Sequence, residues 1–196
     1  MMKNIELKAR CDDACEAESQ AKGIGAIYQW RKRQTDTYFR VPNGRLKMRE
    51  EDGKIPQLIS YFRADRPGER ESEYQLLNIP ESSTLKKMLS GTLGVLVVVK
   101  KTRTLFLYEN VRIHLDQVES LGDFIEFEGV IRNAAGVEDT QKKILRLKKQ
   151  FAIAEADLVK YSYSDLLMRL KGQRDYSTKI AKIAEFRKRL LNILLM

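Results

Sequence analysis

The chain has 196 residues, enough to bury a sizeable core, with 43% hydrophobic and 32% charged residues and a formal net charge of +9. No apolar run approaches the roughly 18 residues of a membrane span, and the opening MMKNIELKAR lacks an apolar h-region, so a protein of the cytoplasm with no secretory signal is expected. Two cysteines, Cys11 and Cys15, and one histidine are too few for a structural zinc site and read as reduced thiols.

NIELKAR, residues 4–10, alternates polar and apolar side chains, the period of a strand. DDACEAESQAKGIGAIY follows, with Ala14, Ala17, Ala21, Ile24 and Tyr28 at helical spacing, Asp12 or Asp13 as N-cap and Gly25 near the end. QTDTYFRV and GRLKMRE, joined by Pro42-Asn43-Gly44, form a predicted hairpin. QLISYFRAD and ESEYQLLNI are two further strands around the loop RPGER. SSTLKKMLSGTLG is a predicted helix capped by Ser82 or Ser83, with Leu85, Met88 and Leu89 inward. VLVVVKKTRTLFLYE, VRIHLDQVE and GDFIEFEGVI complete about eight strands, the first two joined through Asn110. From Asp139 onward the pattern is helical: TQKKILRLKKQFAIAEADL, a short YSYSDLLM, and STKIAKIAEFRKRLLNILLM. Dense hairpins with interspersed helices predict an α+β fold with an antiparallel sheet.

The charge is unevenly placed. Residues 1–138 hold 22 Lys and Arg against 21 Asp and Glu, whereas residues 139–196 hold 14 against 6. A basic tail can serve nucleic acid or an anionic surface, but no aromatic interleaving or nucleic-acid motif accompanies it, so a solvated helix face is the plainer reading. In the first part the two signs share strand faces. Arg45, Lys47 and Arg49 alternate with Leu46 and Met48, Arg63 with Phe62, and Lys101 and Arg103 lie two apart. Arg112, His114 and Asp116 alternate with Val111, Ile113 and Leu115, and Glu126 and Glu128 with Ile125 and Phe127. A wet outer sheet face would explain any one of these strands. Eight strands can also close into a barrel, and the charged side could then be the inside, with the apolar side outward under helices. Lys8, Arg10, Lys47, Arg49, Arg63, Lys101, Arg103 and Arg112 would meet Glu6, Asp116, Glu126 and Glu128 there. The basic surplus suits a polyphosphate, and the carboxylates suit a hard cation such as Mg²⁺ or Mn²⁺.

In motif order the chain resembles the CYTH proteins, which unite class IV adenylyl cyclases and thiamine triphosphatases and are also called triphosphate tunnel metalloenzymes. The matching stretches are Asn4, Glu6 and Lys8 (ExExK with its first acid missing), QTDTYF, GRLKMRE, LISYFRAD, the EY of ESEYQ, KKTR, RIHLD with ESLGDFIEFE, and YSDLLM. Their order and spacing look most like the bacterial class IV cyclase branch. The resemblance implies a closed eight-stranded antiparallel barrel, a tunnel over residues 1–170, followed by a basic helical extension, 171–196. It implies Glu6, Asp116, Glu126 and Glu128 as metal ligands. Lys8, Arg10, Lys47, Arg49, Arg63, Lys101, Arg103 and Arg112 would hold the triphosphate, and Glu6, Lys8, Glu126 and Glu128 would form the catalytic group. The implied activity is conversion of ATP to cyclic AMP and pyrophosphate. The alternatives are hydrolysis of tripolyphosphate or thiamine triphosphate, and low-turnover triphosphate binding, because Asn4 replaces a carboxylate.

No phosphate-binding glycine loop is present. His114 reads as a spacer rather than a general base. Tyr38 and Tyr61 could stack on a base or simply pack. RKRLLNILLM could pair with a partner or a second copy, giving a homodimer, or pack on the barrel. Removal of Glu126 or Glu128 is expected to abolish metal-dependent activity and, by relieving like charges, to leave the fold intact or more stable.

Overall fold

The computed structural model describes residues 2–63, 68–131 and 136–173. The alternating stretches form eight strands: β1 (Met2–Arg10), β2 (Ile27–Phe39), β3 (Arg45–Glu51), β4 (Gln57–Arg63), β5 (Arg70–Asn78), β6 (Val95–Tyr108), β7 (Val111–Val118) and β8 (Gly122–Ile131). All pairings are antiparallel and the sheet closes in the order β1-β5-β4-β3-β2-β6-β7-β8. Closure leaves no free edge, because β1 pairs with β5 on one side and β8 on the other. Helices α1 (Ala14–Gly23), α2 (Ser82–Thr92) and α3 (Gly136–Gln150) flank the barrel, followed by a 3₁₀ turn, Glu155–Asp157. A fourth helix, α4, runs from 163 to 173, the last described residue.

The barrel is inverted. Ile5, Leu7 and Ala9 of β1 point outward with Phe106, Ile113, Ile125 and Phe127, and they pack beneath Ala17 and Ala21 of α1 and Ile144 and Leu147 of α3. Asn4, Glu6 and Lys8, on the other face of β1, are also buried, so both faces of this strand are enclosed. One end of the lumen is stoppered. Tyr38, Val97, Val99, Val118 and Phe124 face inward there and close around Tyr163 and Leu167 of α4. The chain before α4 is laced to β1 by a bridge from Leu158 to Ala9 and by the Val159 amide, which donates to the Lys8 carbonyl at 2.8 Å.

The β2–β3 turn needs its glycine. Gly44 adopts φ +66°, and a Cβ there would stand 2.8 Å from the Phe62 ring. Asp13 caps α1 by accepting from the amides of Cys15 and Glu16.

Four elements depart from expectation. α1 ends at Gly23, so Ile24 lies beyond it and Tyr28 lies in β2 instead of on the helix. β2 begins at Ile27, well before QTDTYF, because a register shift between Tyr28 and Trp30 breaks the alternation. α2 is preceded by Glu81, not capped by Ser82 or Ser83, and it buries no residue; Met88 is 60% exposed. It is tied down by Lys86, which donates to Glu50 at 2.6 Å. α3 stops at Gln150, and Ala152 at φ 49° turns the chain back so that Phe151 packs under the barrel. The expected extension lies outside the described residues from 174 onward. Among the described residues no helix is long and apolar enough to cross a membrane.

Candidate functional site

The lumen is a cavity of about 520 Å³, within the range of small-molecule sites, open at the end opposite the stopper. Its basic wall is built twice in the same way. β3 carries Lys47 and Arg49, and Asp36 of the neighbouring strand β2 accepts from Lys47 Nζ at 2.9 Å and from Arg49 Nε and Nη2 at 2.7 Å each. β6 carries Lys101 and Arg103, and Asp116 of β7 accepts from Lys101 Nζ at 3.1 Å and from Arg103 Nε at 2.6 Å and Nη2 at 2.5 Å. The registers Asp36–Arg49 and Arg103–Asp116 make each clamp a cross-strand pair. Burial alone would raise both Asp carboxyls, but Arg49 with Lys47, and Arg103 with Lys101, hold them well below the usual range.

The lysines inside the clamps lose proton affinity on burial, whereas Asp36 and Asp116 raise Arg49 and Arg103. Burial, then Arg103 beside it, lowers Lys101 to about 7 against the pull of Asp116. Burial and Arg49 lower Lys47 to about 8. Lys8 is lowered too, by burial, and donates to Glu126 at 2.8 Å.

The acidic side lies on β1 and β8, where Glu6 faces Glu128 and Lys8 faces Glu126 across the ladder. Glu126 also accepts from Arg103 at 3.1 Å. Glu6 Oε1 accepts from Arg63 at 2.8 Å and from the fully buried Arg70 at 2.9 Å. Glu128 accepts from Arg112 at 3.2 Å and from the Asn4 amide, whose Oδ1 is buried without a partner. His114 Nε2 stands 3.8 Å from Glu128, and burial followed by Arg103 holds this imidazole well below its usual pKa, so it is neutral. Tyr38 and Tyr61 meet hydroxyl to hydroxyl at 3.4 Å near the stopper and do not sit at the mouth. Tyr163 donates to Asp116 at 2.9 Å, and its ring lies 3.8 Å from Lys8 Nζ.

Ten of the twelve expected site residues therefore line the cavity: Glu6, Lys8, Lys47, Arg49, Arg63, Lys101, Arg103, Arg112, Glu126 and Glu128. Asp116 stands behind the basic wall as its counter-ion. Arg10 lies beyond the floor, exposed, over Phe124 and donating to the Leu121 carbonyl at 2.8 Å. Sequence reasoning missed Asp36, Arg70, Trp30 and Tyr163. Two of these carried a signal: Asp36 alternates with Gln34 and Tyr38 in QTDTYF, and Tyr163 opens YSDLLM.

The donor set suits a hard cation: Glu6, Glu126 and Glu128 supply carboxylates, and Asn4 Oδ1 is a buried oxygen in want of a donor or a metal. Among the described residues no three His, Cys, Asp or Glu side chains already converge as a cage. Each carboxylate is held by a Lys or Arg instead.

A family model described as CYTH domain matches residues 2–163. A candidate adenylate cyclase of Methanocaldococcus jannaschii is 24% identical over 174 residues, covering 84% of this chain and 98% of its own. The structure of a candidate adenylate cyclase from Vibrio parahaemolyticus aligns with a TM-score of 0.70 at 21% identity, over 84% of this chain and 97% of that one. A Hippeastrum candidate adenylyl cyclase, described with a dominant triphosphatase activity, aligns with a TM-score of 0.57 at 14% identity, over 87% of this chain and 96% of that one. At such identities the two structures attest the shared fold.

Proposed function

The chain belongs to the CYTH family, and on that premise we propose that its lumen binds a triphosphate with Mg²⁺ or Mn²⁺ and promotes an in-line displacement at phosphorus. Cyclisation of ATP to cyclic AMP and pyrophosphate is the first reading. The observation that supports triphosphate binding, common to cyclisation and hydrolysis, is the pair of Asp-clamped Lys-x-Arg claws, Lys47/Arg49 and Lys101/Arg103, in one blind cavity with Glu6, Glu126 and Glu128.

The claws are desolvated and aimed before any ligand arrives, so little reorganisation is needed when phosphate oxygens replace the carboxylates as partners. Lys8, Arg63 and Arg112 complete the grip from the other walls. Glu6, Glu126 and Glu128, with Asn4 Oδ1, would hold the cation, which when bound neutralises charge on the reacting phosphoryl group. In cyclisation a bond forms from the ribose 3′-oxygen to the α-phosphorus and the hydroxyl proton is released. The bond from that phosphorus to the pyrophosphate oxygen breaks, and the basic claws receive the leaving charge. In hydrolysis water attacks the terminal phosphorus within the same grip.

A second reading, a low-turnover triphosphate binder, is favoured by Asn4, which brings no charge and engages Glu128. Incubation of the purified protein with ATP and with tripolyphosphate, plus Mg²⁺ or Mn²⁺, separates these. Cyclic AMP without orthophosphate is the expected result, and orthophosphate release would transfer the assignment to hydrolysis. Binding without turnover, with activity appearing in Asn4→Glu, would establish the second reading. Absence of both binding and turnover would remove the proposal.

A further inference from the structure

Towards its mouth the lumen changes character, beginning at the bulge in β2. The β2–β6 register shifts between Tyr28 and Trp30. Tyr28 stands opposite Phe106, which faces outward beneath α1, and the two rings meet edge to face at 5.6 Å. Trp30 stands opposite Leu105, and both line the cavity. Regular alternation would put Tyr28 and Trp30 on one face; the bulge turns only Trp30 inward, a recurrent use of bulges beside sites. Because Tyr38 lies in the stopper, the Trp30 end of β2 lies at the mouth.

Apolar side chains complete this tier. Ile59 of β4 and Leu76 of β5 are cross-strand partners that line the cavity, and β5 is four places from β6 in the closed order, so Leu76 faces Leu105 across the lumen. Leu76 is 39% exposed, an apolar surface that phosphate binding does not use. Two ammonium groups attend the indole, Lys54 Nζ at 5.0 Å and Lys32 Nζ at 5.7 Å from its centroid. Lys54 sits on an exposed turn and can yield the ring face to a ligand while keeping its charge near an anion.

We propose that this upper tier is a ring subsite: Trp30 stacks on a flat heteroaromatic group attached to the triphosphate chain, Leu76 and Leu105 enclose it, and the lumen thereby selects an organic triphosphate over an inorganic one. This deepens the triphosphate reading above and rests on it. The ionic tier grips the chain common to both ligands, and only the organic ligand reaches Trp30.

Trp30 is the chain's only tryptophan, so its emission reports the subsite directly. ATP and tripolyphosphate are titrated into the full chain, with tryptophan emission recorded for wild type and thermal shift for wild type, W30A and W30F. ATP is expected to quench the emission saturably and to bind W30A about ten-fold more weakly, the size of one base–aromatic stack, with W30F close to wild type. Tripolyphosphate affinity should be the same in all three. Equal loss of both ligands in W30A, or loss of neither, overturns the ring subsite. A wild-type protein that binds neither ligand sinks the triphosphate reading instead, and the two failures are distinct.

Discussion

On the proposed function, Lys101 and Lys47 would make phosphate binding a proton-uptake reaction. In the empty lumen Lys101 is protonated only below about 7 and Lys47 only below about 8. An anionic chain beside them favours the ammonium form and raises both pKa values, so binding above these values draws protons from solvent. Affinity should therefore fall as pH rises from about 7 to 9, by up to about a factor of ten per pH unit for each lysine that must take up a proton. Calorimetry of tripolyphosphate binding in buffers of different ionisation enthalpy measures the uptake, and an affinity that is flat or rising over that range contradicts it. Glu126 illustrates the opposite charge. Its carboxylate is held by Lys8 and Arg103, so Glu126→Ala leaves the buried Lys8 without its ion-pair partner and Arg103 with Asp116 alone. The expected relief of like charges does not apply, because acids and bases interleave. The variant should lose about 3–5 kcal/mol of stability by urea melt as well as metal-dependent activity; unchanged stability would mean that these pairs contribute nothing. These facing residues were legible as strand alternation in the sequence. Their partners were not: that Asp36 clamps Arg49 depends on a register that only the closed sheet fixes, and a bulge conceals the facing of Trp30.

At the scale of elements, the approach of α3 to the barrel hangs on one glycine. A Cβ on Gly129 of β8 would stand 2.1 Å from Thr140 Cγ2 and 3.2 Å from Ile144 Cδ1 of α3. Gly129→Ala should therefore push α3 off the sheet and cost about 1–3 kcal/mol. Thr140→Ser removes the clashing methyl while keeping the hydroxyl that accepts from Asn110, so adding it to Gly129→Ala should recover part of the loss; a double variant no more stable than Gly129→Ala would place the strain elsewhere. α4 acts through Tyr163. Tyr163→Phe keeps the ring over Lys8 and removes the bond to Asp116, an expected loss of about 1.5–3 kcal/mol in the same melts. Elements with regular periodicity were legible: all eight strands, and α1 with its Asp13 cap. Contexts set by the closed barrel were not. α2 has helical spacing but lies where it buries nothing, and α3 ends where Phe151 must turn back to pack.

The whole molecule is a container whose stability and ligand affinity are coupled. Eight Lys and Arg line the cavity against five Asp and Glu, a surplus of three. Closing such a ring of charges into a low-dielectric interior costs solvation that the internal ion pairs only partly return. A polyanion that enters after closure meets the surplus and binds the folded chain alone, since unfolding separates β3 from β6. Stabilisation then follows mass action: at 100 times the dissociation constant it is about 2.7 kcal/mol, or roughly 5–10 °C in melting temperature for a chain of this size. Tripolyphosphate should produce this shift, and orthophosphate, which cannot span both claws, should produce much less at equal concentration. Rising salt should shrink the shift, although less steeply than for exposed charges, because the claws are buried. Equal shifts from the two anions, or none from either, would mean that Lys47/Arg49 and Lys101/Arg103 do not act on one ligand. A shift that tracks chain length and survives moderate salt is what a lumen with two grips on one wall, either side of β2, requires.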